Sequence, residues 1–485
     1  THATDNILIA ASPDSGPESS IFVELPAHTV RDGLNLVDNP RNLGLRVALR
    51  GDMRRPDSST GKALGKMSNT YNYSLNYFRD LNASVNYKFT DKVLRTSAPF
   101  PIGTAYTHHL QDPTYINIIR RDFNRITSEY NMKMGAIWKN GPENYDFSGA
   151  DRVIAFAQKY GLDVHGHVLI WSQDTEIPEW LEEMVDLGLG RDEWIDLMNG
   201  YIRKVITHFK GKVTSWDVVN EACNWSDGTL RGSKPGDDHT FWYDRIGPEF
   251  ISIAFHTARS VLDELGENHV KLFYNDYDFV RTDKRAGMLE MIRGLIEDGV
   301  PIDGVGMQLH QKVYVIKDDI RTAFAEVSAL GLLIHASEID ILVNSPEYIA
   351  SAQKGYGNGP LIRGDHITAD ELYFGMNGKN NYDLQYAQGK SFNTTVRAYL
   401  DIVPSAQQYG ITMWGITDKT SYVGEIKNYM GYPDYAHSFG TFYNKKRAYD
   451  GILEGLTGIH WEAEDDIAWD WRWITGEFEP KAPWL

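Results

Sequence analysis

Eight short apolar runs recur between residues 101 and 418, each ending in polar or charged residues and each followed by a helical pattern. They are PIGTAY (101–106), ITSEYNM (126–132), DVHGHVLIW (163–171), VTSWDVVNE (213–221), KLFYNDYD (271–278), IDGVGMQLH (302–310), LLIHASEID (332–340) and GITMWGITD (410–418). This alternation constrains the fold more than any other feature. Parallel strands are joined by crossovers, usually helices, so repeated strand–helix units build a parallel sheet. Eight units is the count of a closed barrel. The rival, an open doubly wound sheet, usually carries a glycine-rich turn after its first strand, and none follows PIGTAY. The fold class expected is therefore α/β, a (β/α)8 TIM barrel, preceded by an N-terminal β-rich ancillary segment.

DFSGADRVIAFAQKYG is the clearest helix. Ser148 followed by Asp151 resembles a capping box, Val153, Phe156, Ala157 and Tyr160 form one apolar face, and Gly161 supplies the stop. PTYINIIRRDFNR, EWIDLMNGYIRKVITHFK, PEFISIAFHTARSVLDELG, KRAGMLEMIRGLIEDG, IRTAFAEVSALG, TTVRAYLDIVPSAQQYG and KKRAYDGILEGL complete the set. Two connections are long, Asp174 to about Gly190 and roughly Asn344 to Ser391. In a barrel such loops lie at the substrate-binding, C-terminal face. The barrel is assigned to residues 96–458. Residues 1–95 carry short strand-like runs, IFVEL, LRVALRG, YSLNYF and SVNYKF, between turn-rich stretches. They read as an ancillary segment, in whole or as part of a trimmed module. Residues 459–485 form a Trp-rich tail expected to pack on the barrel.

The net charge of −18 argues against nucleic acid, whose phosphates need Lys and Arg, and favours a neutral polymer as partner. The single cysteine, Cys223, excludes an intrachain disulfide and a Cys-based metal cluster, and reads as a packing residue. No run of 18 apolar residues predicts a membrane-spanning segment. The 13 Trp and 27 Tyr suit both core packing and stacking on sugar rings. The chain starts at Thr1 with no basic-then-apolar leader, and the expected location is secreted, periplasmic or attached to the cell surface. A monomer is expected.

In a barrel, strand ends converge on one pocket. Here they supply Glu129 and Lys133; His165, His167 and Trp171; Asn220 and Glu221; Asn275 and Asp276; Gln308 and His310; Glu338 and Asp340; Trp414 and Asp418. Glu221 and Glu338 then face each other. Two opposed carboxylates suit glycoside hydrolysis, one protonating the leaving oxygen and the other attacking the anomeric carbon or activating water. The apolar, aromatic context of Glu221 would raise its pKa, and a hydrogen bond from His310 would orient Glu338 and keep it ionised. His165 and His167 form a candidate metal pair, but no third ligand has the usual spacing, so a sugar-binding or structural role is expected. No metal and no cofactor are expected. Asn275 and Asp276 read as supporting residues. Asp340 and Asp418 read as structural acids bonding backbone or Arg/Lys groups. Lys133 as a Schiff-base lysine would leave the glutamates unexplained.

WDVVNEA, GVGMQLH, SEIDI and MWGITD, with FPIGTAY, SEYNMK, GHVLIW and YNDYD in the same order, resemble the retaining endo-β-1,4-xylanases of glycoside hydrolase family 10, over roughly residues 95–458. The resemblance implies that Glu221 is the general acid/base and Glu338 the nucleophile. It implies that Asn220 binds the 2-hydroxyl of the sugar at the cleavage point, and that Gln308 and His310 support the carboxylates. His167, Trp171 and Trp414 would line the −1 site, and Glu129 and Lys133 the −2 site. Three positions depart from the family pattern. Tyr130 replaces the amide that grips the −2 sugar, the histidine that follows the third-strand Trp is missing after Trp171, and Tyr422 stands where a second Trp is common. All three lie on the glycone side, so the expectation is a xylanase acting on xylan or xylo-oligosaccharides with altered glycone subsites. The alternatives are a hydrolase of another β-glycan and a non-catalytic polysaccharide-binding barrel.

Overall fold

The computed structural model describes residues 8–11, 21–24, 92–107, 112–171, 176–234, 241–313, 317–343, 382–421, 435–440 and 443–461. Each of the eight apolar runs overlaps a strand: β1 Ile102–Tyr106, β2 Arg125–Ser128, β3 Asp163–Gly166, β4 Ser215–Asn220, β5 Lys271–Asp276, β6 Gly304–Met307, β7 Leu333–Leu342 and β8 Gln408–Met413. Every neighbouring pair is parallel, and pairing of β8 with β1 closes the ring. Closure leaves no edge strand. Strands β1, β2 and β4 are buried at every residue, which is why they read as apolar runs rather than alternations. Two short extensions prolong the ladder towards the C-terminal face. Ile170–Trp171 pairs with the end of β4, and His310–Lys312 pairs with the end of β7. They bring Trp171 and His310 to the mouth of the barrel.

Eight helices follow the strands: α1 Pro113–Asp122, α2 Ser148–Tyr160, α3 Arg191–His208, α4 Phe250–Leu265, α5 Thr282–Glu297, α6 Lys317–Ser328, α7 Tyr382–Ile402 and α8 Arg447–Leu456. Asp112 caps α1 by accepting from the Thr114 N–H at 2.8 Å, with Pro113 in the first turn. Two helix expectations need correction. Ser148 does not cap α2; it is the first helical residue, and its own N–H is taken by Asp146 Oδ1 at 3.0 Å. Gly161 does end α2, at φ 64°. Helix α7 begins at Tyr382, so the long connection is shorter than expected. Its first turns are polar, yet the buried Gln388 amide donates to the Ile341 and Tyr435 carbonyls at 2.8 and 2.7 Å. Tertiary hydrogen bonds there replace the apolar stripe.

Outside the barrel, Leu8–Ala11 pairs antiparallel with Ile21–Glu24, so IFVEL does contain a strand. LRVALRG, YSLNYF and SVNYKF lie outside the described residues, as does the tail beyond Trp461. Trp461 itself sits on the barrel helices, its N–H donating to Asn393 Oδ1 at 3.0 Å and its ring beneath Arg447. Among the described residues no helix is long and apolar enough to cross a membrane.

Candidate active site

Strand β4 ends at Asn220, and Glu221 turns the chain with φ 53°, a left-handed conformation uncommon for a residue with a Cβ. Asp278 and Leu309, each two residues past the ends of β5 and β6, share it at φ 58°. The strained backbone at Glu221 is held on both sides. Its own N–H donates to the Asn275 carbonyl at 2.9 Å, and the Ala222 N–H donates to Tyr274 Oη at 3.2 Å. Tyr274 in turn donates to Asp276 Oδ2 at 2.5 Å, and Asp276 Oδ1 pairs with Lys284 Nζ at 2.8 Å. Both members of that pair are fully buried, so neither can be removed singly without stranding a charge. Asp276 is thus the supporting residue expected.

The two glutamates are joined by side-chain amides. Gln308 Nε2 donates to Glu221 Oε1 at 2.8 Å and reaches Asn220 Oδ1 at 3.3 Å. Asn275 Nδ2 donates to the same Asn220 oxygen at 2.8 Å and to Glu338 Oε1 at 2.7 Å. Ser337 Oγ fixes the Asn275 oxygen at 2.6 Å. Gly306 makes room for this amide, since a Cβ there would lie 2.2 Å from Asn275 Oδ1. The Asn220 Nδ2 donor is buried and has no hydrogen-bond partner among the described residues.

The carboxylates sit in different electrostatic settings. Burial, reinforced by the negative charge of Asp276, pushes the Glu221 pKa above the ordinary carboxyl range. Glu338 instead faces His310 Nε2 at 3.2 Å, and His310 Nδ1 faces Asp340 Oδ2 at 2.9 Å. Burial alone would lower the imidazole's pKa, but Asp340, with Glu338, raises it well above its ordinary value. A charged imidazole donates through both nitrogens, one of them to Glu338. Asp340, read from the sequence as an acid bonding backbone or Arg/Lys, also bonds His310, brought opposite it by the pairing of the His310–Lys312 extension with β7. Asp418 does bind as expected, to Lys446 Nζ at 2.8 Å and the His437 N–H at 3.0 Å.

On the β2, β3 and β8 side, Lys133 Nζ lies 4.5 Å over the Trp171 ring and 3.6 Å from the Glu176 carboxylate. The His167 ring is 5.3 Å from Trp414 and 6.3 Å from Trp171. Glu129 Oε2 accepts from Thr107 Oγ1 at 2.5 Å, and Tyr130 projects with 52% of its surface exposed. Tyr422 lies outside the described residues. His165 and His167 both lean on Asp217 Oδ2, at 3.0 and 2.9 Å. No group of three His, Cys, Asp or Glu suited to a metal gathers among the described residues.

A sequence model described as glycosyl hydrolase family 10 matches residues 92–455. The chain belongs to glycosyl hydrolase family 10. A second model, described as a domain of unknown function (DUF6359), matches residues 1–63. Among family 10 relatives, endo-1,4-beta-xylanase A of Cellvibrio japonicus is 32% identical over 382 residues, covering 76% of this chain and 57% of the relative. Beta-1,4-xylanase of Dictyoglomus thermophilum is 31% identical over 368 residues, covering 73% and 88%. The chain thus spans less than two thirds of the length of the Cellvibrio relative. A mutant xylanase10C from Cellvibrio japonicus, solved in complex with xylopentaose, superposes with a TM-score of 0.64 at 27% identity, covering 77% of this chain and 71% of that one.

Within this family 10 barrel, the structure gathers Asn220, Glu221, Gln308, His310 and Glu338 into one bonded cluster, with His167, Trp171, Trp414 and Lys133 beside it. Sequence reasoning gave no role to Asp217, Ser337, Lys284 or Glu176. A carboxylate inside the apolar VTSWDVV run was the signal available for Asp217.

Proposed function

We propose that this chain is a retaining endo-β-1,4-xylanase working by double displacement. The observation that carries the reading is the amide chain that ties together two carboxylates, Glu221 held by Gln308 and Glu338 held by Asn275 and His310. The relatives named as xylanases, and the neighbour solved with xylopentaose, supply the substrate class. Glu338 attacks the anomeric carbon as the bond to the leaving oxygen breaks, and Glu221 gives that oxygen its proton. Water then adds to the xylosyl-enzyme, Glu221 takes a proton from it, and Glu338 leaves with the configuration at carbon retained. The buried Asn220 Nδ2, without a hydrogen-bond partner among the described residues, supports the reading that it donates to a hydroxyl of the reacting sugar. A polymeric substrate also favours a site of action outside the cytoplasm.

The glycone subsites are proposed to differ from the family pattern. Tyr130 is exposed at the rim where the resemblance expects an amide, and Glu176 presses on Lys133. Products from linear and branched xylo-oligosaccharides test both levels. Xylo-oligosaccharide release with a displaced cleavage register is expected, and Tyr130→Asn should move the register towards the family pattern. No hydrolysis of xylan, with activity on another β-glycan, would remove the xylanase reading. An unchanged register in the variant would remove the subsite reading alone.

The raised pKa of Glu221 also has a stability consequence. A carboxyl whose pKa is higher in the folded than in the unfolded state favours folding at low pH, and that contribution is lost as pH rises through the folded value. Glu221→Gln cannot ionise. Its melting temperature should therefore exceed that of the native protein at neutral pH, and the difference should close below about pH 4, near the ordinary glutamate pKa. Calorimetry across pH checks this; a variant less stable at neutral pH would contradict it.

A further inference from the structure

His437 is buried and takes no part in the chemistry above. Its segment, residues 435–440, runs as a strap along the loop that follows β8. The Phe439 N–H donates to the Ile416 carbonyl at 3.0 Å, and the Asp418 N–H donates to the Phe439 carbonyl at 2.9 Å. Thr417 Oγ1 donates to the Gly440 carbonyl at 2.7 Å. At the end of β7 the Ile341 N–H reaches the Ala436 carbonyl at 3.2 Å. Within this strap His437 meets the loop in three places. Its N–H donates to Asp418 Oδ1 at 3.0 Å, its Nε2 lies 2.7 Å from Ser421 Oγ, and its ring packs on Gly415. A Cβ at position 415 would fall 2.6 Å from His437 Cε1. Burial lowers the pKa of the imidazole against the pull of Asp418 and Asp340, so the ring is neutral at pH 7.

Gly415 directly follows Trp414 and holds φ 136°, a conformation that residues with a Cβ rarely adopt. The indole of Trp414 stands 5.3 Å from the His167 ring and 6.4 Å from the His310 ring, steeply inclined to both at 76° and 80°. His310 in turn bonds Glu338. Trp414 therefore borders the catalytic cluster, and the turn at Gly415 governs how its indole leaves the strand end. A glycine turn is conformationally permissive unless something occupies its open side. The His437 ring occupies it. Bulk alone does not call for histidine there, since a leucine could fill the space without burying polar nitrogens. Leucine could not hold Ser421. One imidazole thus braces both ends of the loop 415–421. Asp418, between those ends, is held by the His437 N–H and by the buried Lys446 Nζ at 2.8 Å.

We propose that His437 is a positioning residue, which holds the Trp414 indole at the catalytic cluster by packing on Gly415 and bonding Ser421. Its kinetic consequence rests on the xylanase reading above; the placement of the indole does not. His437 acts through Trp414 and does not touch the sugar. Its loss is therefore felt in turnover at the reacting sugar, more than in binding of the rest of the chain.

The test measures kcat and KM on an aryl β-xylobioside for native protein, His437→Leu, His437→Gln, Ser421→Ala, Trp414→Ala and the double variant His437→Leu/Trp414→Ala. His437→Leu keeps the bulk and loses the bond. Its kcat should fall about tenfold, the scale of a slightly misplaced group, with KM within about twofold of native. Ser421→Ala removes the same bond from the other side and should give a similar loss. His437→Gln offers an amide nitrogen near the place of Nε2 and should recover part of it. Added to Trp414→Ala, the leucine change should cost nothing further, because its effect runs through that ring. Losses that add in the double variant would make His437 a general structural residue and overturn the proposal. So would kcat within about twofold of native in both His437→Leu and Ser421→Ala. Native protein inactive on the xyloside and on xylan would overturn the parent reading alone. A crystal structure of His437→Leu then decides the proposal: a displaced Trp414 indole supports it, and an unmoved one overturns it.

Discussion

Glu338→Ala will lose turnover on xylan by roughly 10⁵-fold or more, the scale seen when a covalent nucleophile is removed. On the proposed mechanism the loss extends to aryl xylosides with good leaving groups, because Glu338 forms the xylosyl-enzyme in the first step. Azide should restore part of the activity. It enters from the face that Glu338 occupied, so the product is the α-xylosyl azide, with inverted configuration. The supporting groups should remain in place, since Asn275 is still fixed by Ser337 and His310 by Asp340. A variant that hydrolyses at near-native rates, or a rescue product of β configuration, would show that Glu338 is not the nucleophile.

Glu221→Ala will behave differently, and the contrast tests the division of labour. Sugar leaving groups need a proton, so hydrolysis of xylan should fall by about 10²–10⁴-fold, the usual worth of a general acid/base. Aryl xylosides with acidic phenols need none, so their first step should remain fast and the covalent intermediate should accumulate. Azide now intercepts that intermediate from the opposite face and yields the β-xylosyl azide. On the proposed mechanism the alkaline limb of the kcat/KM profile follows loss of the Glu221 proton, and it should disappear in this variant. If losses on xylan and on the activated substrate were the same size, Glu221 would be acting on binding or folding rather than on the proton.

Much of this arrangement was legible in the sequence because barrel strands are buried on both faces and end at one mouth. The apolar runs therefore mark the strands, and the polar residues that stop them mark the pocket. Glu221, Glu338, Gln308 and His310 were found on that logic. What was hidden depends on register between strands far apart in the chain. His310 meets Asp340 because the extension after β6 pairs with β7, and no spacing within either segment reports that. Asn275 read as a supporting residue, but its place between both carboxylates arises from the gap at Gly306 one strand away. The early start of α7 was missed for a different reason: Gln388 satisfies carbonyls rather than filling a core, and periodicity detects only the second.

Heat-hardening of this protein should avoid its mouth. Glu221, Asp278 and Leu309 all hold positive φ within two residues of a strand end, at a cost of about 1–2 kcal/mol each. An engineer who relaxed them would raise the melting temperature by loosening Glu221, Asp278 or the turn beside Gln308. Gly200, in the middle of α3, and Gly294, in the last turn of α5, offer the safer ground. A methyl added at either meets nothing within 4 Å. The room for making this molecule hardier lies in its outer helices, and the strain at its strand ends is best left as it is.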